Sequence, residues 1–395
     1  MSGRLWRVLV GVSLAVAAFN LRPAVASVGP LLGDLRAGLP MSPTVAGLLT
    51  SVPPACFAVV GTVAPRLVRR VGPGTVVWMA MAVLALGLAA RALAGGSAVF
   101  LVASAAALAG IGIGNVVMPI VVKRCFPEHV GIMTGVYSMA LTLGASLAAA
   151  ISVPLADGLG GGWRVGLGFW AVPAAVAALA WLVVRTPRDA APTAATAAPA
   201  KRITSSGTAW ALSVFFGLQA AGAYIVLGWL PQIFRDAGVA PATAGLLLAL
   251  TPAVGIPLAF LMPTLAARLP TQGPLAVALS ALGIAGYLGL WFVPATLPWL
   301  WALLLGVSQA SFPLALTMIG LRSRSTRGVA QLSAFAQGVG YLISIPGPIL
   351  VGVLYDHTAG WTAPLAFMAA LLVPQAVAGV LAGRDRFVES ETVRA

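Results

Sequence analysis

Long apolar runs separated by short polar stretches extend along the whole chain. Each run is close to the roughly twenty residues that an α-helix needs to cross the hydrocarbon core of a bilayer. Gly and Pro occur inside many runs, and membrane helices tolerate them when neighbouring helices or water satisfy the freed backbone groups. The pattern predicts twelve transmembrane helices, at 8–30, 44–65, 74–93, 98–122, 130–153, 164–184, 209–230, 243–266, 274–293, 298–320, 329–354 and 362–382.

The second half of the chain repeats the first. The segment Ala46–Leu49 reads AGLL, as does Ala244–Leu247, and Gly162-Trp163 recurs as Gly360-Trp361 at the same offset of 198 residues. Two parallel halves of six helices are the architecture of many secondary transporters. The repeat therefore predicts an N-terminal half at 1–186, a C-terminal half at 208–395, and a solute cavity between the halves.

Two segments depart from the pattern of spans. Residues 187–207 are rich in Ala, Thr and Pro and poor in large apolar side chains, which predicts a flexible cytoplasmic linker. At the N-terminus, Arg4, Arg7, an apolar run and Ala24-Val25-Ala26 resemble a cleavable signal peptide. The repeat favours a first membrane span instead, because cleavage would leave the two halves unequal.

Composition places the chain among membrane proteins. Hydrophobic residues make up 60% and charged residues 8%, far from the balance of a soluble domain. The net charge of +14 is spread along the sequence and forms no basic nucleic-acid-binding motif. Cys56 and Cys125 lie far apart in apolar runs and have neither metal-binding nor disulfide spacing. We therefore expect no cofactor, no metal and no nucleic-acid partner.

Basic residues predict the orientation of the spans. With the N-terminus inside, eighteen of the 23 Lys and Arg residues fall on the inner side. Four fall on the outer side: Arg36, Arg91, Arg164 and Arg235. The excess follows the positive-inside rule, and it predicts that both termini and the linker are cytoplasmic.

Arg22 stands inside the first span, in the segment FNLRPAVASVGPLL. An Arg within a membrane span costs about 2.5–3.5 kcal/mol on insertion scales unless it faces a wet cavity or a partner. The nine Asp and Glu residues all lie at span ends, in loops or in the tail, so none is an evident ion-pair partner. We interpret Arg22 as the binding group for an anionic solute; the alternative is that it bonds to carbonyls freed by Pro23 and Pro30, or extends to the headgroups.

Further polar residues in the spans predict the rest of a solute site. Polar groups are costly against lipid tails and should point into the protein, where each one alone is more often a contact between helices. Spans one, four, seven and ten all contain such residues, and these spans are equivalent under a three-helix subrepeat. The candidates besides Arg22 are Asn20, Asn115, Tyr137, Gln219, Tyr224, Gln309 and Gln337, with Trp229 as a group that shapes the site.

Several sequence stretches carry a family resemblance. They are Asn20–Ala24, Ser27–Leu31, Gly47–Thr50, Ala64–Leu67, Gly112–Asn115, Lys123–Arg124 followed by Phe126-Pro127, and Gly131–Tyr137. With them the chain resembles the major facilitator superfamily, and within it the nitroimidazole/cyanate transporter family. The resemblance implies an all-α fold of twelve helices, alternating access, and a pathway lined by helices one, four, seven and ten. One departure is the segment at 65–70, which lacks the Asp of the wider superfamily's loop motif after the second span.

Together these observations predict a monomeric transporter that lies in the cytoplasmic membrane in contact with lipid. Its predicted solute is a small, cyanate-like anion. A drug exporter of the same fold is the nearest alternative, and the lack of acids deep in the spans disfavours an exporter of cations. A membrane-embedded enzyme would need clustered His, Asp or Glu, and the chain has two isolated histidines. Coupling stays open between a uniporter, an exchanger, and co-transport of a proton with a protonatable anion.

Overall fold

The computed structural model describes residues 3–184 and 203–392 of the 395-residue chain. Within these ranges every regular element is a helix, and no β-strand is present. The predicted linker at 187–207 lies outside the described residues as far as position 202. Its final residues form a 3-10 turn at Ile203–Ser205, directly before the next helix.

Nine α-helices precede the linker and nine follow it. The first nine are α1 (Gly3–Asn20), α2 (Pro23–Ala26), α3 (Val28–Gly38), α4 (Pro43–Val71), α5 (Pro73–Ala92), α6 (Ser97–Cys125), α7 (Val130–Gly158), α8 (Gly162–Gly168) and α9 (Ala171–Val183). The others are α10 (Gly207–Asp236), α11 (Pro241–Arg268), α12 (Gly273–Phe292), α13 (Pro298–Ser308), α14 (Ser311–Leu321), α15 (Thr326–Ser344), α16 (Pro346–Thr358), α17 (Thr362–Ala382) and α18 (Val388–Thr392).

All twelve predicted spans fall on these helices. Eleven helical segments of the described chain are long and apolar enough to cross a membrane. The remaining predicted span, 44–65, lies in α4, which is 29 residues long. Four spans consist of more than one helix: the first (α1 to α3), the sixth (α8 and α9), the tenth (α13 and α14) and the eleventh (α15 and α16).

Local sequence signals fix where many helices begin. Pro73, Pro241 and Pro298 occupy the first turn of their helices, where the missing N–H has no intrahelical partner in any case. Ser206 and Ser325 are N-caps whose hydroxyls accept backbone N–H groups of the first turn, at 3.1 and 3.0 Å. These signals explain why short-range sequence patterns located the spans well.

The chain divides into two compact units. The first comprises the described parts of Met1–Ser42, Ala55–Ala195 and Pro241–Ala249. In this unit α5 packs on α6 and α9, and α1 packs on α7. The second comprises the described parts of Pro43–Pro54, Thr196–Ala240 and Leu250–Ala395. In this unit α10 packs on α15 and α17, and α12 packs on α13 and α17.

The repeated AGLL motif marks a close helix crossing in each unit. In the second unit, a methyl carbon added at Gly47 would lie 2.7 Å from the carbonyl oxygen of Pro348. In the first unit, one added at Gly245 would lie 2.6 Å from the carbonyl oxygen of Ala149. Both distances are far below van der Waals contact, so only glycine allows these backbones to approach. The repeat thus reflects a packing requirement that both copies share.

Candidate functional site

The first membrane span is interrupted where it carries Arg22. Helix α1 ends at Asn20, a two-residue turn follows, and α2 begins at Pro23. Pro23 has no N–H to donate to the carbonyl of Phe19, and its ring disfavours a continuous helix at this point. The sequence Arg-Pro therefore places the Arg22 side chain at a break in the span instead of on a regular helical face.

Helix α7 packs directly on this break through Gly144. A methyl carbon at Gly144 would lie 2.1 Å from the carbonyl oxygen of Phe19, the oxygen that Pro23 leaves without a helical donor. Tyr137 lies seven residues earlier on α7, two turns away and hence on the same helix face. The glycine thus allows the close approach that brings the face carrying Tyr137 against the first span.

The Arg22 side chain is half-buried, and its Nε has no hydrogen-bond partner among the described residues. Tyr137 is also half-buried and lies within electrostatic reach of the Arg22 charge. Helix α6 approaches the same break, because a methyl carbon at Gly114 would lie 2.6 Å from Leu21 Cδ2. Asn115 follows Gly114 directly and is half-buried. Arg22, Tyr137 and Asn115 are therefore carried by three segments that meet at the break.

The side chain of Asn20 links two helices, α1 and α9. It is 2% exposed, and its side-chain amide donates to the carbonyl of Val16 at 2.8 Å and to that of Pro173 at 3.1 Å. The second bond ties the end of α1 to α9 across 153 residues of sequence. Its donors are thus used to hold the end of α1, two residues before Arg22.

The other four candidates belong to the second unit. Gln219 and Tyr224 lie buried on α10, and Gln219 Oε1 has no hydrogen-bond partner among the described residues. Gln309 is half-buried at the interruption between α13 and α14. Gln337 is half-buried on α15, where its Nε2 donates to Ser333 Oγ at 2.7 Å. Helix α10 packs against both α14 and α15, so these side chains lie on elements that are in mutual contact.

Trp229 belongs to an aromatic cluster at the end of α10. Its ring centroid lies 6.4 Å from that of Tyr355 and 5.8 Å from that of Trp361. The Tyr355 hydroxyl and the Trp361 indole donate to Asp236 Oδ2, at 3.2 and 2.8 Å. Trp229 is fully buried, and its Nε1 has no partner among the described residues. The cluster anchors the ends of α10, α16 and α17 to one another.

Comparison with known proteins identifies the protein family of the chain. The family model described as Major Facilitator Superfamily matches residues 9–345, which is most of the chain. The chain belongs to the major facilitator superfamily. This membership confirms the predicted fold class of an all-α, multi-pass membrane protein. It also confirms that the protein is a transporter of the cell membrane and not an enzyme.

Named relatives in this superfamily carry small solutes. The chain is 33% identical to the 2-nitroimidazole transporter of Escherichia coli (strain K12) over 96% of each chain. It is 34% identical to the cyanate transport protein CynX of the same organism, over 91% of this chain and 93% of that one. These similarities confirm the resemblance found in the sequence. As a member of the major facilitator superfamily, the protein is a secondary transporter of small solutes.

A solved structure shows the same fold at lower identity. The bacterial homolog of the human lysosomal transporter Spinster superposes with a TM-score of 0.80 and 18% sequence identity, over 95% of this chain and 96% of that one. The part of the chain that the structure describes contains no group of three His, Cys, Asp or Glu residues placed to bind a metal ion.

The structure of this superfamily member contains a buried charge that the sequence pattern did not single out. Arg91 counts among the basic residues predicted on the outer side, and it lies in the last turn of α5, where it is 1% exposed. The signal was available, because the predicted third span, 74–93, contains Arg91 just as the first contains Arg22. Arg91 is therefore both a basic residue near the predicted outer end of its span and a charge within that span.

Proposed function

We propose that this transporter carries a small anion related to cyanate across the cytoplasmic membrane by alternating access, with Arg22 as the group that binds its negative charge. The observation that carries the proposal is the Arg22 Nε, which is buried at a helix break without a partner among the described residues. A guanidinium inside a membrane span needs a compensating negative charge, and a passing solute supplies it.

The chemistry around Arg22 suits a small planar solute. A guanidinium presents a rigid fork of N–H donors that matches two oxygens or the side of a linear anion. Tyr137 adds a hydroxyl and Asn115 adds an amide, both of which are neutral and able to donate. We assign Asn20 a positioning role, because its amide donors already hold the end of α1.

The proposed solute ligands also include neutral hydrogen-bonding groups predicted from the sequence. Gln219, Gln309 and Gln337 carry amides, and Tyr224 carries a hydroxyl, so none introduces a competing charge. The buried Oε1 of Gln219 needs a donor opposite it, which favours a solute that has an N–H or O–H as well as its negative pole. Such a mixture fits 2-nitroimidazole, the solute for which the Escherichia coli relative is named, which has a nitro group on a nitrogen heterocycle.

Uptake by the purified protein tests the proposal. The protein in proteoliposomes should accumulate labelled cyanate saturably, and 2-nitroimidazole should compete with it. Choline, a cation, and urea, a small neutral solute, serve as controls. Neither should be taken up by the proteoliposomes or compete with cyanate. Saturable uptake of choline or urea, without uptake of cyanate, would reject an anion-binding role.

The proposed orientation has both termini and the linker in the cytoplasm, and the protein acts as a monomer. Its support is the excess of basic residues on one side of the spans. Reporter domains fused near Ala195 and after Ala395 should both be active only when the reporter works in the cytoplasm. A third fusion, in the loop at 94–96 between α5 and α6, should report the opposite side. Activity of an external reporter at either of the first two positions would contradict the orientation.

A further inference from the structure

Arg91 is a fully buried charge that the proposed solute site does not use. It lies in the last turn of α5, within a segment able to cross the membrane. Its side chain packs on the face of Phe100 from α6, with 5.1 Å between the guanidinium carbon and the ring centroid. Arg91 is 1% exposed and Phe100 is 0% exposed, so neither bulk water nor lipid headgroups surround this charge.

The Arg91 guanidinium makes one hydrogen bond with the described residues. Its Nη1 donates to the carbonyl of Ala24 at 2.9 Å, in the short helix α2 that follows the break at Arg22. Its Nε and Nη2 are buried and have no hydrogen-bond partner among the described residues. These two nitrogens are the pair whose N–H bonds point in the same direction, and they form the side-on fork that binds two oxygens of one group.

No carboxylate of the described chain forms an ion pair with Arg91, although a buried, unpaired charge is strongly destabilising. Two unpartnered hydroxyls lie on the same segments. Ser104 stands one helical turn after Phe100 on α6, and Ser27 stands three residues after Ala24. Both are 0% exposed, and neither Oγ has a partner among the described residues. Ser104 and Ser27 thus lie about one helical turn from Phe100 and Ala24, which the Arg91 side chain contacts.

We propose that Arg91, Ser104 and Ser27 form an enclosed binding site for a small monovalent oxyanion. The fork of Arg91 grips two oxygens, and the serine hydroxyls donate to the same ion. Because all three side chains are buried, a lipid phosphate cannot reach them, and nitrate and formate are small oxyanions that offer two oxygens to the fork. The bound ion compensates the buried charge of Arg91 and holds its side chain where it donates to Ala24, next to the break in the first span. This site is separate from Arg22 and does not depend on the proposed solute site.

Thermal unfolding of the purified full-length protein tests the site. Nitrate and formate are the probes, with gluconate, which is too large to enter, keeping the ionic strength constant. The unfolding temperature of the wild type should rise saturably, by about 2 °C or more at saturating ion, because a ligand that binds only the folded state stabilises it. Arg22→Gln, which leaves this site intact, should show the same rise.

Two variants separate ion binding from folding. Arg91→Lys keeps the charge and one donor for Ala24 but lacks the fork, so the rise should disappear while the protein still folds. Ser104→Ala removes one hydroxyl and should raise the ion concentration needed for the half-maximal shift several-fold. The proposal is overturned if nitrate and formate leave the wild type unchanged, or if Arg91→Lys keeps the full response. It is also overturned if Arg22→Gln abolishes the response, because the ion would then bind at Arg22 and would support the proposed function alone.

Discussion

Replacing Arg22 with Gln is expected to abolish most solute uptake while the protein still reaches the membrane. The substitution removes the positive charge and the fork, and hydrogen bonds to a charged group contribute about 1.5–3 kcal/mol each, or roughly ten- to a hundredfold in affinity. Arg22→Lys keeps the charge without the fork and should weaken binding less. Initial rates of cyanate uptake in proteoliposomes, measured over a range of concentrations, give the KM and the maximal rate, and the rise in unfolding temperature with cyanate reports the affinity.

A surface arginine provides the matched control for Arg22. Arg164 is exposed, donates to the Ala94 carbonyl at 3.0 Å and stacks on Trp163, so Arg164→Gln makes the same chemical change away from the break. Its uptake should stay near that of the wild type. The solute should also raise the unfolding temperature of the wild type and of Arg164→Gln but not of Arg22→Gln. Near-normal affinity in Arg22→Gln would show that Arg22 is structural.

Adding a single methyl group at Gly144 is expected to disrupt the site by displacing helix α7 from the first span. In Gly144→Ala the new carbon would lie 2.1 Å from the Phe19 carbonyl oxygen and 3.0 Å from its carbon, and backbone atoms on both sides cannot rotate away. Helix α7 must then withdraw from the first span, which separates Tyr137 from Arg22. Overpacking of this kind typically costs about 1–3 kcal/mol, so both the unfolding temperature and the uptake rate should fall.

A second glycine of the same helix controls for the change in helix propensity. Gly135 has nothing within 4 Å of an added methyl carbon, so Gly135→Ala introduces the same group without a collision. This variant should be as active as the wild type and slightly more stable, because Ala favours a helix over Gly. Equal behaviour of Gly135→Ala and Gly144→Ala would show that contact with the first span does not limit transport.

Sequence patterns located the helices because the responsible forces act over short distances. A run of about twenty apolar residues makes a span wherever it occurs, and proline or serine starts a helix through contacts within one turn. Arg22 stood out for a similar reason, since a charge inside such a run is costly in any fold. The same rule applied to the third span would have found Arg91.

The roles of the polar candidates could not be predicted in this way. Asn20 and Asn115 are both amides within a span, but only the contact of Asn20 with Pro173, 153 residues away, identifies it as a link between helices. Gly144 carries no chemical signal at all, and its importance follows from the carbonyl of Phe19 that faces it. Such contacts depend on how each helix is rotated and on how closely it approaches its neighbours.

The sequence by itself determined the membrane class, the helical spans, the internal repeat and the family, because these follow from local hydropathy and from recognisable motifs. It also identified Arg22 as a charge without an evident partner. Only the tertiary structure decided that Arg22 lies at a helix break beside Tyr137 and that the donors of Asn20 are already used. It also decided that Arg91 is buried and that its Nε and Nη2 have no partner in the part of the chain that the structure describes. The physical reason is that hydrogen bonds and burial are properties of pairs of segments, which meet only when the helices pack.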